Sequence, residues 1–168
     1  MEPAYFSLEA AERRLAEPLK ALRRDLHEHP ERSGQERETG LRLRALLAQG
    51  PFELLPLPIE NGLVARIRGK APGRRVAIRA DMDALPVQEW AGNPIRSQNP
   101  GVMHACGHDM HMAFVYGAGL LLAAERERFS GEVLLIFQPA EETGEGAQWM
   151  LDAGFSTGIP WTASLAAT

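Results

Sequence analysis

Residues 103–111, Met-His-Ala-Cys-Gly-His-Asp-Met-His, hold three of the five histidines and the single cysteine of a 168-residue chain. Cys106 and His108 flank Gly107. Glycine takes turn conformations closed to other residues, so a turn here can aim a thiolate and an imidazole at one point. That donor pair is the chemistry of a transition-metal site. The plain alternative is a small apolar cysteine beside polar histidines. Two acidic pairs stand elsewhere: Asp81 with Asp83, and Glu141 with Glu142. Adjacent side chains on a turn point apart, so the two glutamates need different tasks. One division makes one a metal ligand and the other a base acting on water. Their alternative is an acidic pair complementing a helix N-terminus.

The elements that must position these groups follow from periodicity. Leu8, Ala11, Leu15, Leu19, Leu22 and Leu26 recur at helical steps after Ser7, a good N-cap, and Pro30 stops the pattern. His27 and His29 fall at that helix's C-terminal end, where solvated surface histidines are expected. A second helix over 36–49 is expected to bury Leu41, Leu43, Leu46 and Leu47 before Gly50-Pro51 ends it. Residues 63–68 alternate like a half-exposed strand, and 75–80 read as a second strand after a turn. Asp81 and Asp83 come straight after it. The polar stretch 89–101 is a loop, and a buried helix is expected over 109–128. The apolar run 132–137 suits a strand covered on both faces, with Glu141 and Glu142 just beyond its end, and a short helix over 147–152 follows. Helices alternating with strands predict an α/β fold with part of the sheet parallel. In such sheets, sites gather at the carboxyl ends of the strands.

Composition narrows the classes. Hydrophobic residues make 45% and charged residues 24%, ordinary for a globular protein, and the length suits one domain. A net charge of −4 with no basic run argues against nucleic acid or a membrane surface as partner. One cysteine cannot form an internal disulfide, which fits a reducing compartment. Glu2, Glu9 and Glu12 sit where a signal peptide would need basic and then apolar residues, and no apolar run has spanning length. The expectation is a cytoplasmic protein.

Four motifs in register carry a resemblance: Asp25-Leu26-His27-Glu28-His29-Pro30-Glu31, Arg79-Ala80-Asp81-Met82-Asp83-Ala84-Leu85-Pro86, the 103–111 stretch, and Gln138-Pro139-Ala140-Glu141-Glu142. Over about residues 18–154 the chain resembles the amidohydrolase branch of the M20 metallopeptidases. That branch holds hippurate hydrolases, N-acyl-amino-acid amidohydrolases, N-acetyl-diaminopimelate deacetylases and auxin-conjugate hydrolases. The resemblance implies the N-terminal part (1–154) of a mixed-sheet α/β catalytic domain flanked by helices. It implies Cys106, His108 and Glu142 as ligands of a divalent metal, two ions in all, of zinc, manganese or cobalt. Glu141 would be the general base. Asp81 falls where relatives carry a metal-site residue, and Asp83 where they carry a carboxylate that orients a ligand. Asp109 and His111 match the motif without an assigned role, Asp109 being equally suited to cap the helix. Met110 replaces a glycine common among relatives. The implied reaction is hydrolysis of an N-acyl amino acid or short peptide, with metal polarising the amide carbonyl and Glu141 moving a proton from water to the leaving nitrogen.

The same resemblance sets expectations of what is missing. Relatives are more than twice as long, with a lid and dimerisation domain, a histidine ligand soon after the fourth motif, and another in a C-terminal half. An inactive remnant serving as a metal-binding or interaction module is therefore the second reading. A Cys106–His108 nucleophile is a weaker third, since it leaves Glu141, Glu142 and Asp81 without a task. The tail, 155–168, carries no charged residue. Back-translated with GC-rich codons and read from the third base of codon 155, it can give Leu-His-Arg-His-Pro-Val-Asp-Arg-Val-Leu-Gly-Gly-His. A shifted reading frame is the expectation there, checked by the nucleotide sequence downstream.

Overall fold

The computed structural model describes residues 8–155 and the backbone of 163–166. Helix α1 spans Leu8–Glu28 and α2 spans Arg37–Ala48. Strands β1 (Glu53–Leu54), β2 (Leu63–Arg68) and β3 (Arg75–Asp81) follow. Helix α3 covers His108–Ala124, β4 covers Glu132–Gln138, α4 covers Gly146–Asp152 and β5 covers Ala163–Ala166. Among the described residues the sheet order is β1-β2-β4-β3-β5. β4 pairs antiparallel with β2 and parallel with β3, and β5 joins β3 in parallel. β3, α3 and β4 thus form a parallel crossover unit, the arrangement expected from the strand and helix periods. The rest of the tail, 156–162 and 167–168, lies outside the described residues.

Side-chain alternation divides the core in two. Leu63, Ala65 and Ile67 of β2 and Val133, Leu135 and Phe137 of β4 face α1, α2 and α3 through Leu26, Leu43, Leu47, Met112 and Val115. The other face carries Val64, Ala77, Leu134 and Ile136, covered by Met150 of α4 with Leu55, Leu57 and Ile59. β2 is therefore buried on both faces, from Leu63 to Ala65 and again at Ile67, rather than half exposed as its alternation predicts. The reason is this second layer, which the pattern within β2 cannot report. In α2, Leu43 and Leu47 are fully buried, whereas Leu41 is exposed and Leu46 is only partly covered. The α2 core face instead takes in Thr39 and Gly40. Pro18 lies inside α1 without ending it. Helix α3 starts at His108, ends at Ala124 and is followed by a single 3₁₀ turn at Arg126–Arg128. It is not buried all round, since Met110 and Phe114 are exposed on its outer face. Its close fit comes from Gly117 and Gly119, where a Cβ would meet Leu19 and Leu135 at 2.7 and 2.4 Å. No helix among the described residues is long and apolar enough to cross a membrane.

Candidate metal centre

Parallel pairing of β3 with β4 brings their carboxyl ends to one edge of the sheet, with Asp81 opposite Gln138. Three segments leave that edge: 82–85 after β3, the turn into α3, and 139–145 after β4. Gly107 precedes α3 at φ +78°, the left-handed conformation that glycine adopts without penalty, and nothing lies within 4 Å of where its Cβ would be. His108 is thereby the first residue of the helix. Its Nδ1–H donates to the Asp83 carbonyl at 2.8 Å and lies 3.4 Å from Asp83 Oδ1. Its Nε2 faces Glu141 Oε2 at 3.8 Å and Glu142 Oε1 at 3.9 Å.

Two groups of donors, each within 4.8 Å, meet at this imidazole: His108 with Glu141 and Glu142, and His108 with Asp81 and His111. The His108 and His111 rings stand 5.4 Å apart, one helical turn along α3. Cys106 belongs to neither group, but its thiol faces the Glu142 carboxylate. That contact, then burial, then the charges of Glu142, Glu141 and Asp83, push the thiol up to about 11. Asp83 is buried and joins no donor group. Burial is the largest influence on it and acts upward, yet His108, Ser33 and the backbone N–H groups of Glu142 and Glu141 hold it below the usual carboxylate range. Ser33 Oγ donates to Asp83 Oδ2 at 2.6 Å and the Glu142 N–H donates to the same oxygen at 2.9 Å. Burial lowers the pKa of His108, but the Asp83 side chain and carbonyl outweigh it and leave the value raised.

The donor set fits a divalent cation. Sulfur, imidazole nitrogen and carboxylate oxygen are the ligands of zinc and its neighbours. Buried Glu142 Oε1 and His111 Nδ1 have no hydrogen-bond partner among the described residues, which suits them to ligate a cation. Asp81 is less free: Arg79 Nε lies 2.9 Å from its Oδ1, though not aligned as a hydrogen bond, and Arg79 Nη2 donates to Oδ2 at 3.2 Å.

Behind the centre lies a polar cluster that changes the reading of His27. This histidine is 3% exposed, not solvated: Nδ1 meets Asp109 Oδ2 at 2.8 Å and Nε2 meets Glu89 Oε1 at 2.9 Å. Arg23 Nε reaches the same Asp109 oxygen at 2.8 Å. Asp109 also accepts the Met110 N–H at 2.9 Å, so its local contact lies in the first turn of α3 while its other oxygen ties α3 to α1. His29 is partly exposed and bonds back to the Asp25 carbonyl at 2.8 Å. His104 is buried, neither ring nitrogen has a hydrogen-bond partner among the described residues, and burial lowers its pKa to about 4. Glu36, buried and unremarked by its sequence context, accepts the Ala140 N–H at 2.7 Å.

Against known proteins, residues 77–167 match the sequence profile of peptidase family M20/M25/M40. N-acetylcysteine deacetylase of Bacillus subtilis is 48% identical over 139 residues, covering 82% of this chain and 37% of that protein. An N-acyl-L-amino acid amidohydrolase of Geobacillus stearothermophilus is 45% identical over 140 residues, covering 83% and 38%. Among solved structures, a dinuclear metal-binding M20 peptidase of Bacillus subtilis superposes with a TM-score of 0.85 at 44% identity, covering 94% of this chain and 43% of that one. The chain thus spans about two fifths of the length of the proteins it matches.

Proposed function

The chain belongs to peptidase family M20/M25/M40, and from that premise we propose that it carries the metal-binding half of an amidohydrolase site for N-acyl amino acids or short acyl peptides. The observation that carries this reading is the meeting of His108, Glu141 and Glu142 at the carboxyl ends of β3 and β4. Cys106, His108 and Glu142 hold a divalent metal, zinc by preference for the thiolate and manganese or cobalt by the carboxylates. Two ions are the full complement, as in the dinuclear relative. When bound, the metal supplies Lewis-acid polarisation of the amide carbonyl and acidifies water. Asp83 fixes the tautomer and direction of His108 through its backbone carbonyl, and Asp81 extends the acidic wall.

Glu141 and Glu142 divide their labour by exposure. The Glu142 side chain is 18% exposed and that of Glu141 is 37% exposed. The more enclosed carboxylate suits a ligand, and the more open one can meet water and substrate. Glu141 therefore takes a proton from water on its side-chain oxygen and hands it to the leaving amide nitrogen. Three ligand residues fall short of two complete coordination shells, so turnover by these 168 residues alone is expected well below the ~1 per second of ordinary enzymes.

The test is purified chain, with and without zinc, manganese or cobalt, assayed against N-acetyl- and N-benzoyl-amino acids beside direct metal titration. Metal-dependent amine release that Glu141→Gln removes supports the hydrolytic reading. Metal binding with no release under any condition favours a metal-binding module. No metal binding at all overturns both.

A further inference from the structure

Ala140, the residue before Glu141, has φ +48°, and it is the non-glycine residue with positive φ among those described. It is wholly buried. An L-residue with a Cβ disfavours this left-handed conformation by roughly tenfold in population, so surrounding contacts must impose it. The turn is closed on its far side by the Ala140 carbonyl, which accepts the Glu145 and Gly146 N–H groups at 3.2 and 3.1 Å. On its near side the Ala140 N–H points inward and donates to Glu36 Oε1 at 2.7 Å, across 104 residues of sequence. Glu36 stands just before α2, is completely buried, and spends its other oxygen on Asn61 Nδ2 at 3.3 Å rather than on capping its own helix. Two residues on, the Glu142 N–H is held by Asp83. The backbone on both sides of Glu141 is therefore gripped by buried carboxylates from other segments.

We propose that Glu36 is a positioning residue for the metal centre: its Oε1 locks Ala140 in the left-handed conformation that turns Glu141 and Glu142 toward His108. It touches neither metal nor substrate and acts through one backbone N–H. What matters is the place of an acceptor oxygen and not a negative charge. The inference rests on the reading of Glu141 and Glu142 given above, but its first consequence, order at Ala140, does not.

Three variants separate place from charge. Glu36→Gln, made in an Asn61→Ala background so that its new NH2 group does not face the Nδ2 donor, keeps a carbonyl oxygen at the same reach without the charge, and Glu36→Asp keeps the charge but withdraws the oxygen by one methylene. Ala140→Gly removes the conformational penalty. Two readouts are taken on the full chain: hydrogen exchange of the Ala140 amide without metal, and zinc affinity by competition with a chromophoric chelator, with thermal melting as a control for folding. Expected are exchange and zinc affinity within about threefold of the Asn61→Ala background for Glu36→Gln, against at least tenfold faster exchange and tenfold weaker zinc binding for Glu36→Asp. Adding Ala140→Gly to Glu36→Asp should recover most of the zinc affinity, a coupling that additive effects would not give. Should Glu36→Asp fail to fold, exchange and affinity in Glu36→Gln still decide, since loss in that folded variant overturns the proposal. The reverse order, with Asp retained and Gln lost, would assign Glu36 an electrostatic task and also overturn it. If Glu142→Gln leaves zinc affinity unchanged while Ala140 exchange follows Glu36 as expected, the metal reading fails and the positioning of the turn stands.

Discussion

The two ends of the sheet handle charge in opposite ways. At the end away from the site, Glu53 is met by Arg66 and Arg68, and Glu132 by Arg75 and Arg66. Every one of those carboxylates has two guanidinium partners, and the pull of Arg66, then Arg68, takes Glu53 down to about 2. At the carboxyl ends of β3 and β4, Asp81, Asp83, Glu141 and Glu142 crowd one imidazole, and Arg79 is the guanidinium among the described residues that pairs with any of them. A carboxylate matched to a cation is a structural device. A carboxylate crowd without matching cations repels itself unless something positive is added. The difference, rather than the mere presence of charge, is what marks a site.

Breaking the crowded end should cost metal and leave the paired end alone. His108→Ala, which removes the imidazole shared by both donor groups, is expected to weaken zinc binding by at least ~100-fold in chelator competition, while Glu132→Gln stays within about twofold. Equal losses in both would erase the distinction between the ends. Next in size, Asp83→Asn keeps the shape but loosens its grip on Ser33 and the Glu142 backbone, and should weaken zinc binding by roughly 10- to 100-fold. Smaller again is proton linkage. With the Cys106 thiol at about 11, a metal held by Cys106 as proposed would have to displace its proton throughout the neutral range. Apparent affinity should rise about tenfold per pH unit for that proton, and Cys106→Ser should flatten the slope measured by titration between two buffers. A slope unchanged by Cys106→Ser would remove the sulfur from the ligand set.

The smallest effect belongs to the paired end. Glu53 is lowered from 4.5 to about 2, so its stabilisation is present above the unfolded value and fades as pH falls through that window. Its side chain is half exposed, so solvent screening cuts the contribution to under ~1 kcal/mol, and Glu53→Gln in urea unfolding should show no more. A larger loss, insensitive to salt, would mean that the far end is not merely a surface network.

How much of this was legible in the sequence depended on range. Helix α1, strands β3 and β4 and short α4 follow from local period, and Asp81, Asp83, Glu141 and Glu142 are readable as strand-end carboxylates. His111 could have been found by its three-residue step from His108 once a helix was placed there. His27 could not be read as buried, because its partners Asp109 and Glu89 lie 82 and 62 residues away and a helix end is usually wet. Glu36 opens the helix expected over 36–49, and nothing local announces a backbone N–H 104 residues later. Leu41 and β2 failed in the other direction: periodicity says which face a residue shares, not what covers that face.

One detail of His108 sets a limit on stoichiometry. Because Nδ1 carries a hydrogen and gives it to the Asp83 carbonyl, a single lone pair, on Nε2, remains to be donated. The two donor groups that share this ring therefore cannot both be filled through it. On the proposed reading, the first equivalent of metal takes the lone pair. A second must assemble its shell from the remaining side chains and water, so titration of this chain should show one tight equivalent and, well separated from it, one loose equivalent.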